Sequence, residues 1–297
     1  MTPTLLFAPV RDMTGRLRRQ VFYRLWKLYT YVGPRLSLPR EEKVTIIIPS
    51  YSPERVRFVE PNARALLKCD FVERVVVSNH NPATRIRDWV RIDDPRLTLV
   101  DQGVRRGPGW AWLVAAEFDP AFLISIDDDL LVMPHQVKDL FLSLLVEPSV
   151  PHGRAGSSAG TYHHCPAAPA GEMNVDVLYG IYAVTRTHLK RYCEILQALP
   201  ADGDVSSETI EYLADDIVIS RTGDARPKIH NFGRLIYLPT FDKPGVAIHM
   251  EPEFEETRGR VRRALDRLYP SFRASSSMWL TRTILTVLLP ETIGVFS

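Results

Sequence analysis

From about residue 44 onward, short apolar runs alternate with stretches of helical period. "VTIIIPS" (44–50), "VERVVVSNH" (72–80) and "AFLISIDDD" (121–129) are β-branched runs of the length of buried strands, and "RLTLVDQ" (96–102) is a shorter one. Between them, "PERVRFVEPNARALLKC" (53–69) and "PGWAWLVAAEF" (108–118) have the spacing of helices. Strands joined in succession by helices predict a parallel sheet covered on both faces, with ligands at the strands' carboxyl ends. Further on, "PHQVKDLFLSLLVE" (134–147) predicts a helix, and 152–172, rich in Gly, Ala, Ser and Pro, a long loop. A strand at 175–185, a helix at 186–199, a single helix over 206–223, a strand-like "GVAIHM" (245–250) and a charged helix near 253–268 complete the pattern. The expected fold class is α/β, a mixed but mainly parallel sheet flanked by helices. It forms a single domain at 43–250, with a basic amphipathic segment (1–42) before it and a helical extension (251–297) after it.

The run "LISIDDDLLV" (123–132) places Asp127, Asp128 and Asp129 where a buried strand has to stop, because Asp is among the residues least suited to one. Three adjacent carboxylates repel one another unless a cation or hydrogen-bond donors offset them, and a hard divalent metal with oxygen ligands does so naturally. Acidic residues also collect before helix N-termini, and Pro134 marks a plausible first helical turn. Against that simpler reading, other polar clusters also fall at strand exits: Ser50, Asn79, and Arg105 with Arg106. A second acidic pair, Asp215 and Asp216, follows in "LADDIVIS" (213–220).

The chain has 297 residues, is 45% hydrophobic and carries a formal net charge of +2, which suits a globular protein and argues against a nucleic-acid partner. The positive charge is local: between Arg11 and Arg40 there are eight basic residues and one acid, Asp12. There Leu17, Val21, Leu25, Leu28 and Val32 recur at helical spacing, with Phe22, Trp26 and Tyr29 among them. Such a helix suits a peripheral membrane contact, packing on its own domain, or a homodimer. Cys69, Cys165 and Cys193 are odd in number and widely spaced, so a reducing, cytoplasmic compartment is expected. No secretory signal or membrane-spanning run is apparent.

The order "IIIPSYSPER", "VVVSNHN", "VRRG", "ISIDDDL", "LADDIVIS" resembles the GT-A fold of nucleotide-sugar glycosyltransferases, and within it the exostosin-like glycosyltransferases of family 64, over about residues 43 to 250. The resemblance implies a hexosyltransferase that uses Mn²⁺ or Mg²⁺ and a nucleotide-sugar donor, a UDP-sugar first, with retention of configuration; separately from the resemblance, a glycan or lipid-linked acceptor is expected. It puts Ser50, Arg55 and Asn79 around the nucleoside and Arg105 or Arg106 near the diphosphate. Asp127 and Asp128 would face ribose and sugar. Asp129 would hold the metal, with His249 as a late second ligand. Asp216 would be the essential catalytic carboxylate and Asp215 secondary. Taken singly, each has a simpler reading: a solvated arginine, a turn asparagine, a core histidine at 249, an acidic helix face at 215–216. His163 and His164, adjacent in the expected loop, suit surface positions better than a metal. The sequence departs from the animal members in having Ala214 where they carry a cysteine, so compartment and acceptor do not carry over. An inverting GT-A enzyme, a sugar nucleotidyltransferase and a non-catalytic nucleotide-binding module are the competing functions. The second is disfavoured because "PSYSPER" lacks a glycine-rich phosphate loop.

Overall fold

The β-branched runs form the middle of one eight-stranded sheet, and Ile46, Ile47, Ile48, Val75, Val76, Val77, Leu123 and Ile124 are all fully buried there. The computed structural model describes residues 15–158, 171–203, 205–238, 240–241 and 243–269. Its strands are β1 (Val44–Ser50), β2 (Val72–Asn79), β3 (Leu97–Asp101), β4 (Phe122–Ile126), β5 (Leu130–Leu131), β6 (His152–Ser157), β7 (Glu172–Asn174), β8 (Val177–Thr185), β9 (Lys228–His230) and β10 (Ile236–Tyr237). The helices are α1 (Gly15–Val32), α2 (Val59–Leu66), α3 (Trp110–Glu117), α4 (Pro134–Val146), α5 (Arg186–Ala198), α6 (Ser207–Leu213), α7 (Asp215–Ser220) and α8 (Phe254–Leu268).

The sheet order is β3-β2-β1-β4-β8-β6-β9-β7, and β5 pairs with β10 separately. Strands β3, β2, β1 and β4 run parallel, β8 is antiparallel to both β4 and β6, β6 is parallel to β9, and β7 closes the edge antiparallel to β9. This is the expected mixed, mainly parallel α/β sheet flanked by helices. Alternate side chains feed two cores. Ile46 and Ile48 pack with α2 and α4, whereas Ile47 and Leu123 pack with α3, α5, α7 and α8. Register aligns Ser50 with Asn79 and Asn79 with Asp101, so the carboxyl ends of the parallel strands form one rim.

The structure departs from the pattern in several places. Residues 152–157, expected as loop, form β6, whose glycines let it lie against β8: a Cβ on Gly156 would stand 2.5 Å from the Val177 carbonyl oxygen and one on Gly153 2.8 Å from that of Ile181. His163 and His164 lie outside the described residues. The single helix expected at 206–223 breaks at Ala214 (φ −148°, ψ 18°), so that Asp215 begins α7. "GVAIHM" is not a strand but a turn followed by a 3₁₀ segment, Ile248–Met250. Helix α8, expected in a separate extension, buries Val261, Ala264 and Leu265 beside Ile210 and Ile217 and so belongs to the second core. Helix α1 packs on its own domain, with Trp26 fully buried among Phe58, Leu131, Met133 and Leu238. Among the described residues no helix is long and apolar enough to cross a membrane. The apolar run at 278–290 lies outside them.

Candidate active site

The turn after β4 is shaped by its neighbours' backbones. The Asp127 amide donates to the Gly180 carbonyl in β8 (2.9 Å), and the Leu238 amide donates to the Asp129 carbonyl (2.7 Å). The three aspartates thereby enter a cavity whose wall also includes Ser50, Arg55, Arg105, Arg106, Asp215, Asp216 and His249. Ten of the eleven residues singled out in the sequence therefore meet in one place.

The eleventh, Asn79, does not line the cavity. Its side-chain amide donates to the Asn81 and Thr84 carbonyls and to Asp101, and its oxygen accepts from the Asn81 amide and the Thr84 hydroxyl, so it braces the loop after β2. The expectation that it binds the nucleoside is corrected accordingly: a side chain with this many internal partners has little left for a ligand. Its neighbour His80, which sequence reading passed over, does line the cavity and is held down to about 4 by burial, hence neutral.

Ser50 and Arg55 reach the cavity but engage the aspartates. The Ser50 hydroxyl donates to Asp128 Oδ2 (3.0 Å). Arg55 Nη1 lies 3.3 Å from Asp128 Oδ1 and 2.9 Å from Asp129 Oδ2, while its Nη2 donates to the Thr240 carbonyl (2.9 Å). Burial raises the Asp128 carboxyl above its ordinary range despite these partners. Asp127 is raised further, by burial and then by the charges of Asp129, Asp215 and Asp128.

Trp112 Nε1 donates to Asp215 Oδ2 (2.9 Å). Burial, with the Asp216 charge beside it, pushes the Asp215 carboxyl up to about 7. Asp216 is held differently: Arg258 Nη1 and Nη2 grip its two oxygens at 2.6 and 2.8 Å. Burial alone would lower the Arg258 guanidinium, but the Asp216 charge outweighs it and holds the group above its ordinary value. Arg258 is the main residue the sequence reading missed. It is one basic position of a charged helix, and nothing local marks its pairing with a residue 42 positions earlier.

Five aspartates thus share the cavity with four guanidiniums, of which Arg55 and Arg258 pair with the aspartates. Among the described residues no Lys, Arg or His nitrogen comes within 4.0 Å of the Asp127 or Asp215 carboxylate. Arg106 stands 3.8 Å from Glu211 and over the Trp110 ring (3.7 Å), and the exposed Arg105 lies over Tyr51 (5.1 Å) and Tyr212 (5.8 Å). His249, expected as a metal ligand, packs its ring 5.1 Å from Phe241 and 6.4 Å from Phe254. Among the described residues no three His, Cys, Asp or Glu side chains are grouped so that they could hold a metal ion by themselves.

The loop carrying Arg105 and Arg106 is clamped to α6 through "RRGPG": the Gly107 amide donates to Glu211 Oε1 (2.8 Å) and the Gly109 amide to the Glu211 carbonyl (2.9 Å). A Cβ at Gly107 would stand 2.5 Å from that carbonyl oxygen and 2.7 Å from Tyr212 Cα, both backbone atoms that cannot swing aside. Gly107→Ala is therefore expected to cost about 1–3 kcal/mol, a thermal midpoint lower by several degrees. An unchanged midpoint would mean that the loop is not clamped.

No protein-family model matches the chain, and no curated protein does. Among solved structures it is similar to the mannosyltransferase PcManGT from Pyrobaculum calidifontis in complex with GDP-Man and Mn²⁺, 16% identical over 95% of this chain and 92% of that one, TM-score 0.46. It is also similar to S. aureus TarS 1-349 in complex with UDP-GlcNAc, 17% identical over 75% of this chain and 66% of that one, TM-score 0.49. A third is GalNAc-T7 with UDP, GalNAc and Mn²⁺, 9% identical over 66% of this chain, TM-score 0.45; the chain spans 43% of that structure's length.

Proposed function

We propose that the chain is a metal-dependent GT-A glycosyltransferase that moves a sugar from a nucleotide-diphosphate donor, UDP-sugars first, to a hydroxyl acceptor. The exostosin-like resemblance in its motifs favours retention of configuration. The observation that carries the reading is the convergence of Asp127–Asp129 and Asp215–Asp216 on one cavity with more carboxylates than paired cations. The donor set fits a hard divalent ion, and Asp129 with its neighbours would hold Mn²⁺ or Mg²⁺ there. When bound, the ion would neutralise charge on the leaving diphosphate.

This chain's own residues supply the rest. Arg105 is exposed at the rim, where its fork can take a phosphate. Asp216, locked to Arg258, positions the second wall. Asp215 offers a carboxylate toward the reacting sugar, where positive charge develops. The two acidic residues thus exchange the ranks that the resemblance gave them. Incubation with a panel of nucleotide sugars and Mn²⁺, reading released nucleotide, tests the function, and no release from any donor would overturn it. Asp129→Ala is expected to abolish the Mn²⁺ dependence of UDP binding in calorimetry, and an unaltered dependence would remove the metal assignment.

For the partner of α1 we favour an anionic membrane surface over a homodimer. Leu28, Tyr31 and Val32 are 53%, 50% and 74% exposed beside exposed Arg24, Lys27 and Arg35, and the segment 24–35 itself carries no acid. Co-sedimentation with phosphatidylglycerol vesicles should weaken with salt and fail in Leu28→Gln/Val32→Gln. Salt-independent or unchanged pelleting would rule this out.

A further inference from the structure

One half of the cavity has no part in the donor chemistry above, and its make-up is different. From Tyr237 the wall runs ring to ring: Tyr237 to Phe241 at 4.3 Å between centroids, Phe241 to His249 at 5.1 Å, His249 to Phe254 at 6.4 Å, and Phe254 under the Arg258 guanidinium at 4.7 Å. Val246, Ala247 and Ile248 fill in beside them. Tyr237, Phe241 and His249 remain only half-buried although each is large enough to have gone into a core. The run ends at Arg258, hence at Asp216 and Asp215.

We propose that this wall is the acceptor subsite and that it takes a neutral terminal pyranose of a glycan. The inference rests on the glycosyltransferase reading. A pyranose has apolar C–H faces and hydroxyl edges, so it is matched by rings on one side and carboxylates on the other. A lipid chain would use the rings but leave the carboxylates facing hydrocarbon, which is costly. A phosphorylated acceptor would meet the five aspartates, while Arg258 is already held by Asp216 and Lys243 by Glu54 at 2.6 Å.

The wall is also tied to the donor side. Leu238 bonds the Asp129 carbonyl, and the Thr240 carbonyl accepts from the same Arg55 that pairs with Asp128 and Asp129. A sugar lying on Phe241 is thereby held in a fixed position relative to the aspartate turn, as in-register transfer requires.

Saturation-transfer NMR with the full chain, UDP and Mn²⁺ provides the test, using methyl glucoside, galactoside and mannoside as neutral probes and a polyprenyl phosphate in detergent as the charged one. At least one glycoside is expected to receive saturation at its ring C–H protons. Phe241→Ala should weaken that binding about tenfold, and Tyr237→Ala by a similar factor, while UDP affinity by calorimetry and the thermal midpoint confirm that each variant is folded. Binding of the polyprenyl phosphate alone would overturn the proposal, as would glycoside binding insensitive to both variants or no glycoside binding at all. Failure to bind UDP would instead count against the glycosyltransferase reading, and the glycoside signal could still be scored.

Discussion

Asp215→Asn is expected to lose transfer by about 10²–10⁴-fold and yet to make the protein more stable at pH 8. The amide keeps an oxygen to accept from Trp112 Nε1, so packing is preserved and only the charge is lost. In the native protein burial and the Asp216 charge hold the Asp215 carboxyl at about 7, against an ordinary value of 3.8. For a raised carboxyl the sign is fixed. Its contribution is fully present below pH 3.8, where both folded and unfolded chains are protonated, and it is lost as pH rises through 7 and the buried group must ionise. At pH 8 the wild type bears that whole cost, roughly 2–4 kcal/mol at 1.36 kcal/mol per unit with allowance for relaxation. Calorimetry of the metal-free protein should show Asp215→Asn melting several degrees higher at pH 8, with the gap closing toward pH 4. A variant that melts lower at pH 8, or retains transfer, would show that Asp215 is not a strained functional carboxylate.

Much of this architecture was legible because burial on two faces forces a compositional signature. "VTIIIPS" and "VERVVVSNH" can hardly be anything but central strands, and carboxylates at the end of "AFLISI" had to lie at the strand's exit. What escaped depends on contacts distant in sequence. β6 is "HGRAGS", a strand made of small residues because β8 lies too close for side chains, and out of context such composition reads as loop. The break at Ala214 carries no Gly or Pro, so nothing local announced that Asp215 would start a new helix. Asn79 had the right chemistry at the right rim, but Asp101 and Thr84 came close enough to take its amide. "GVAIHM" alternates like a strand, but it finds no partner among the described strands and turns instead toward Phe241 and Phe254, leaving His249 among rings.

The pairing of Asp216 with Arg258 leads to the other large effect. Asp216→Ala should destabilise the protein by about 3–5 kcal/mol, because it removes one partner of a buried pair and leaves the other charge without compensation. The Arg258 side chain is 2% exposed, and among the described residues its Nη1 donates, besides the two bonds to Asp216, only to the Leu213 carbonyl (2.9 Å). That carbonyl and the Phe254 ring cannot neutralise a guanidinium enclosed by α7 and α8. Replacing both partners by apolar residues of similar size behaves differently, since it removes the desolvation cost together with the attraction. Asp216→Leu/Arg258→Met should therefore recover most of the stability lost in Asp216→Ala, and urea unfolding of the single and double variants closes the cycle. Activity then separates two roles. If Asp216 acts by holding the second wall, the refolded double variant regains measurable transfer, while Asp215→Asn does not. If the double variant is stable but as inactive as Asp215→Asn, Asp216 itself faces the sugar, and the ranking implied by the motif resemblance stands over the one argued from the Arg258 clamp.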